Sequence, residues 1–214
     1  APAANFYTGG KLDSPKTTEK TETSSFALAD TLSFAEDRVL VTLGARHQTI
    51  ENHSYDYNTG VETSDYKKSR ISPMAGIVFK ATQQISLYAN YIESLAKGDT
   101  APTSSGGVPI TNPGEALAPY VSKQKEIGVK YDGGSFGGVL NAFTTSKPSG
   151  YLVGNTFEEA GEQRNRGVEL SLYGEPLHGV RVLGGLTALD AKQIKTFGGT
   201  YDGNDVIGVP HQQF

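Results

Sequence analysis

The 214-residue chain has no cysteine, no tryptophan and a single methionine. The missing cysteine excludes disulfides and thiolate metal sites. The formal charge of −4 supplies no basic surface for nucleic acid, so no nucleic-acid partner is expected. No apolar run approaches the roughly 20 residues that a spanning helix requires. That absence says nothing about strands, which cross a bilayer in about 10 residues and show only alternation. Helical spacing is also scarce, with one doubtful stretch near Glu158 to Gln163. There is no Gly-x-Ser-x-Gly elbow, phosphate loop or Gly-x-Gly-x-x-Gly fingerprint. His47, His53, His178 and His211 are scattered without metal-ligand spacing. Asp202, Asn204 and Asp205 resemble part of a calcium loop, but its glycine and terminal glutamate are missing. We therefore expect no enzyme activity, no cofactor and no protein-bound metal. Asn52-His53-Ser54 fits a glycosylation acceptor, a pattern that chance often produces. Ala1 to Gly10 lacks the basic start and apolar segment of a signal peptide, which suggests an internal portion of something larger.

What the chain does have is alternation. Nine stretches of alternating apolar and polar residues are separated by gaps that run short, long, short, long. The short gaps lie near Glu36, Gln83, Gly133 and Leu177. The long ones cover about 52–68, 95–119, 149–163 and 196–209. The pattern predicts strands over about 22–34, 38–51, 70–81, 84–94, 121–131, 136–147, 164–174 and 180–194, with a ninth near Val209. One phase is apolar (Val39, Val41 and Leu43; Ile85, Leu87 and Ala89; Val168, Leu170 and Leu172). The other phase is polar and collects the mid-strand charges Arg46, Lys80, Glu126, Lys130, Glu169 and Arg181. Side chains alternate faces along a strand, so this is a wall with one greasy and one wet side. A cation on a lipid face at mid-bilayer costs about 2–4 kcal/mol, and these charges avoid that face. Asp30 is the exception, in the phase of Leu28 and Leu32; it sits at headgroup level, or a bulge turns it inward. Pro73 suits the start of a strand or a bulge better than a mid-ladder position.

A soluble β-sandwich also alternates, with a protein core in place of lipid. Sandwich strands typically run about 5–6 residues, shorter than these, and their turns are not sorted by length onto two rims. The pattern therefore favours an all-β, antiparallel, up-and-down meander: barrel wall with short periplasmic turns and long extracellular loops. A soluble β-rich binding or adhesion module, and a passive porin segment, are the alternatives.

Six segments carry a family resemblance. They are Ser25 to Asp30 followed by Val39 to Arg46; Ser72-Pro73-Met74-Ala75-Gly76; Ser86 to Tyr91; Ser122 to Lys130, with its Glu126-x-Gly128-x-Lys130; and Asn165 to Leu170, with its Gly167-x-Glu169. In this order they resemble the barrel of TonB-dependent outer-membrane receptors, in the siderophore branch. The resemblance implies a 22-stranded transmembrane barrel filled by a plug, of which residues 1–214 form a middle portion of about nine strands. It further implies import of a ferric siderophore, driven through the TonB complex, by a wall set among lipid and lipopolysaccharide (LPS). The iron stays inside the chelate. Tyr55, Tyr57, Tyr66, Tyr120, Tyr151 and Tyr201 fall in the long gaps. Aromatic faces and phenol hydroxyls suit a bulky chelate, and an arginine suits anionic oxygens. Tyr120, Tyr151 and Arg164, near outer strand ends, are the candidate ligand contacts. Exposure at the membrane boundary is the alternative for each. The six polar-phase charges are expected to form ion pairs along the lumen, some of them with the plug.

Overall fold

A computed structural model describes residues 15–105 and 107–213, so Ala1 to Gly10 lies outside the described residues. Four strands come first: β1 (Glu19–Phe34), β2 (Val39–Tyr55), β3 (Glu62–Lys80) and β4 (Ile85–Ala96). A small flap of β5 (Ser104–Ser105) and β6 (Val108–Pro109) interrupts them. Then follow β7 (Tyr120–Asp132), β8 (Phe136–Val153), β9 (Thr156–Leu177), β10 (Val180–Lys195) and the short β11 (Gln212–Gln213). Apart from the flap, the strands form one nine-stranded sheet in chain order, each pair antiparallel. This is the predicted meander.

The strands outrun their predicted ends. β2 and β3 stay paired out to Tyr55 and Glu62, and β8 and β9 out to Val153 and Thr156. Two of the expected long loops are thus mostly ladder, and the doubtful helix near Glu158 to Gln163 is strand. The reason is physical: beyond the greasy zone both faces are wet, so alternation vanishes while backbone pairing continues. The gaps at 97–119 and 196–211 do remain long.

Register turns the alternation into a surface. Leu32, Val41, Ile77, Ala89, Ile127, Ala142, Val168 and Ala188 are cross-strand neighbours in one row over eight strands. Phe34, Val39, Phe79, Leu87, Val129, Leu140, Leu170 and Leu186 form the next. Among the described residues no second layer covers them: Ile77 is 46% and Ile127 63% exposed. A sandwich would have sealed these side chains in, so that alternative fails. The apolar stretch also slides along the strands. It runs up to Phe26 on β1 and to Ile71, the partner of His47, on β3, but stops at Ile127 on β7 and Ala188 on β10. Tilted strands crossing a flat slab require this drift. Asp30 lies mid-way up the apolar stretch of β1, opposite Leu43, and the β1–β2 register is unbroken, so no bulge turns it inward.

The wet face is shaped by glycine notches. Tyr88 and Gly128 are direct cross-strand neighbours, as are Phe143 and Gly167. A methyl on Gly128 would stand 2.6 Å from the Tyr88 ring, and one on Gly167 would stand 2.6 Å from that of Phe143. Each ring lies over the next strand's glycine, and Tyr88 thereby donates its hydroxyl hydrogen bond to Glu126 at 2.5 Å. Pro73 keeps its place opposite Ala45 on β2, but the β3–β4 ladder ends one residue short of it, at Met74 and Ile92. Above that point β3 and β4 part.

Candidate functional site

The loop of residues 97–119 closes the parted end of the wet face. Lys97 donates to the buried Asn52 amide oxygen at 2.5 Å, and the Asn52 amide donates to Glu19 and Thr21. The Gly98 N–H donates to the hydroxyl of buried Tyr66 at 3.2 Å, and the Lys97 ammonium sits 5.8 Å from the Tyr66 ring centre. Asn52 is therefore no glycosylation acceptor. On the far side the Thr111 N–H donates to the Asn155 carbonyl, while Asn112 and Phe157 exchange two hydrogen bonds at 2.9 Å each. The loop is pinned to the β2–β3 hairpin at one end and the β8–β9 hairpin at the other.

Tyr120, at the base of this loop, is buried and donates to the Asp99 carboxylate at 3.0 Å. Its hydroxyl comes up beneath Gly150, where an added methyl would stand 2.6 Å from it and 2.7 Å from the Phe157 ring. Next along the chain, Tyr151 meets Phe197 edge-on, centroids 6.4 Å apart at 81°. A recess of about 300 Å³ opens here, with Pro102, Tyr151, Phe157 and Phe197 among its walls. Structure thus brings Tyr120 and Tyr151 to one place, with Tyr120 as the support beneath and Tyr151 in the wall. Sequence reasoning missed Phe157 and Phe197; no periodic signal marks them, because both belong to the segments beyond the greasy zone.

On the wet face, register sets Arg46 opposite Ser72, Glu126 opposite Asn90, Glu169 opposite Asn141, and Lys80 and Lys130 on either side of Ser86. The expected ion pairs are mostly absent. Lys130 comes within 3.8 Å of Asp132 and Arg181 within 4.0 Å of Glu175, both at the short-turn rim. Arg46, Lys80, Glu126 and Glu169 have no salt bridge among the described residues. Their ladder neighbours are Ala27 and Ser72 for Arg46, Ser86 for Lys80, Asn90 and Phe143 for Glu126, and Asn141 and Thr187 for Glu169, none of them charged. Asn90 Oδ1 and Asn141 Oδ1, beside the two glutamates, are buried without a partner among the described residues.

All 214 residues match the family described as TonB dependent receptor-like, beta-barrel. The chain belongs to this family. It is 37% identical to the ferrichrome receptor FcuA of Yersinia enterocolitica over 207 residues, which is 96% of this chain and 27% of that protein. It is 31% identical to the ferrichrome outer membrane transporter/phage receptor of Escherichia coli K12, over 81% of this chain and 22% of that one. The crystal structure of BauA, the ferric preacinetobactin receptor of Acinetobacter baumannii, superposes with a TM-score of 0.76 at 47% identity, covering 91% of this chain and 29% of BauA. The chain spans under a third of the length of these relatives.

In this receptor barrel, which lies in the outer membrane, the greasy face meets lipid and the wet face the lumen. That settles the side on which Arg164 lies. Its ladder partners are Ser146 and Lys192, in the phase of Val168 and Leu170. Arg164 therefore stands on the lipid-side face above the apolar band, away from the recess of Tyr120 and Tyr151. Parity alone carried this signal, since Arg164 is an even number of residues from Val168. Elsewhere, Asp202 caps the Thr196 N–H at 2.8 Å and Asp205 pairs with Lys192 at 2.5 Å, so both loop acids are used internally. Register also brings His53 to within 3.0 Å of Glu62 and 3.6 Å of Asp65. Their spacing in sequence hides the cluster, and the ion pairs account for it.

Proposed function

We propose that the chain is barrel wall and extracellular loops of a receptor that takes up ferric siderophores across the outer membrane, with a plug and the TonB complex supplied by the whole protein. The carrying observation is the family match over the entire chain, joined to the 47% identity with a ferric preacinetobactin receptor. Cargo is captured and passed inward without chemistry on it. The iron stays chelated, so the wall needs no protein ligand or cofactor of its own. A passive porin would need no plug contacts; among the described residues, Glu126 and Glu169 without a counter-ion and the partnerless Asn90 and Asn141 oxygens on the lumen face favour a wall that meets another surface.

The ligand contact we assign is the recess of Tyr151, Phe157 and Phe197, supported from below by Tyr120. Aromatic faces grip a bulky chelate through apolar contact and edge geometry. The test is equilibrium binding of hydroxamate and catecholate ferric chelates to the full-length receptor, with Tyr151→Ala and Phe197→Ala variants. At least tenfold weaker binding of one chelate class is expected. Unchanged affinity for both classes would remove the recess from the account.

A further inference from the structure

Three cation-free stretches of chain meet at the aromatic recess. The stretch between Lys97 and Lys123 brings Pro102, that between Lys147 and Arg164 brings Tyr151 and Phe157, and that after Lys195 brings Phe197. Together they hold seven acids and neither lysine nor arginine. Among the described residues only Asp205 of those acids has an ion pair, to Lys192 and His211. Glu158 is the direct cross-strand neighbour of Tyr151, so its Cβ stands about 5 Å from that of Tyr151 on the same face. The cations that border the stretches are held elsewhere. Lys97 is bound to Asn52. Lys123, Arg164 and Lys195 keep the lipid-side phase, and Lys147 lies down β8 from Tyr151 by about 13 Å.

Aromatic walls with carboxylates and no cation about them suit a positive ligand better than a negative one. Ring faces carry the negative part of the aromatic quadrupole and attract an ammonium within about 6 Å of the ring centre. A cleft lined by charge of one sign also focuses its field, drawing in ligands of the opposite sign and turning away those of its own. Ferric chelates differ in this respect. Three hydroxamates, each a monoanion, leave the iron(III) centre neutral, and an ammonium elsewhere on the chelate makes the whole a cation. Three catecholates, each a dianion, leave it a trianion. The recess, of about 300 Å³, matches one side arm of such a molecule.

We propose that the recess selects its cargo by charge: the rings of Tyr151, Phe157 and Phe197, with the Glu158 carboxylate beside them, take an ammonium-bearing arm of a ferric hydroxamate, and the acidic surroundings turn away a trianionic ferric catecholate. Glu158 is the specificity-determining residue. Its carboxylate pairs with the ammonium while the rings enclose the methylenes that carry it. The selection rests on the recess being the ligand contact, and the two are tested apart.

Full-length receptor in non-ionic detergent is equilibrated with three radiolabelled-iron probes. They are a linear ferric trihydroxamate with a terminal ammonium, the same molecule acetylated at that amine, and a ferric tris-catecholate. Wild type binds the ammonium form about tenfold more tightly than its acetylated form, and the tris-catecholate more weakly than either. High salt narrows the first gap. Glu158→Gln lowers the ammonium-to-acetyl ratio of affinities about threefold, whereas Glu162→Gln, on the lipid-side face of the same hairpin, keeps the wild-type ratio. A ratio measured in one preparation is not moved by a misfolded fraction. Equal affinity of wild type for the two hydroxamate forms, a tris-catecholate bound as tightly as either, or an undiminished ratio in Glu158→Gln overturns the proposal. Tyr151→Ala reads the recess itself. If it weakens hydroxamate binding while wild type ignores the ammonium, charge selection fails and the recess stands; if it changes nothing, both fall.

Discussion

Single residues on the two faces obey different solvents. On the lumen face the glycine of the Glu126-x-Gly128-x-Lys130 strand exists for the ring across from it, since any Cβ there would displace Tyr88 and break its bond to Glu126. Gly128→Ala is expected to destabilise the full-length barrel by about 1–3 kcal/mol. Gly76→Ala, whose new methyl would meet nothing closer than 3.9 Å, is the control. Denaturant midpoints in detergent measure both, and equal midpoints would refute the notch. On the lipid face, Asp30 is the residue that the environment disfavours. Acids at mid-bilayer cost less than cations, and Asp30 accepts a hydrogen bond from the Thr31 N–H at 2.9 Å. Asp30→Leu should raise stability by about 1–2 kcal/mol on refolding into vesicles; a loss would mean that Asp30 has a partner across the wall. Which face a residue takes was legible on most strands, because parity needs no long-range information. The phase of Asp30 and of Arg164 could be counted from Leu28 and Val168. What parity hides is whether a neighbour will answer the charge.

At the scale of elements, the sequence showed the hairpins but not where they stop. Alternation is a record of unlike solvents on two faces, and it fades when both faces are wet. The ladders of β2–β3 and β8–β9 accordingly run on unseen, and the residues that shape the aromatic recess, Phe157 and Phe197, carry no pattern. The fold of the 97–119 loop was equally hidden, because it is fixed by hydrogen bonds across 32 and 45 positions of chain, from Gly98 to Tyr66 and from Asn112 to Phe157. Tyr66 is the nearer pin. Tyr66→Phe keeps the ring and removes the acceptor that Gly98 uses. A lost bond of this kind is worth about 0.5–1.5 kcal/mol. Proteolytic cleavage within residues 97–119 should quicken in the variant, with the rest of the barrel resistant. An unchanged cleavage rate would show that the loop is held elsewhere.

Over its described residues the molecule is a sheet with no protein core between layers. Its large apolar side chains stand exposed along one face, and its few buried apolar residues, among them Tyr66, Val121 and Ala191, lie outside the greasy band. The order of strands, the sorting of turns and the drift of the apolar band all follow if hydrocarbon is the solvent on that face. The most direct test is a nitroxide scan along β2 and β7 of the full-length receptor in liposomes, comparing collision with oxygen, which dissolves in lipid, and with a water-soluble nickel chelate. Labels at Val41, Leu43, Ile127 and Val129 are predicted to favour oxygen, and labels at Thr42, Gly44, Glu126 and Lys130 the chelate, with a period of two. Equal accessibility of both phases, or a greasy phase shielded from oxygen, would contradict the account.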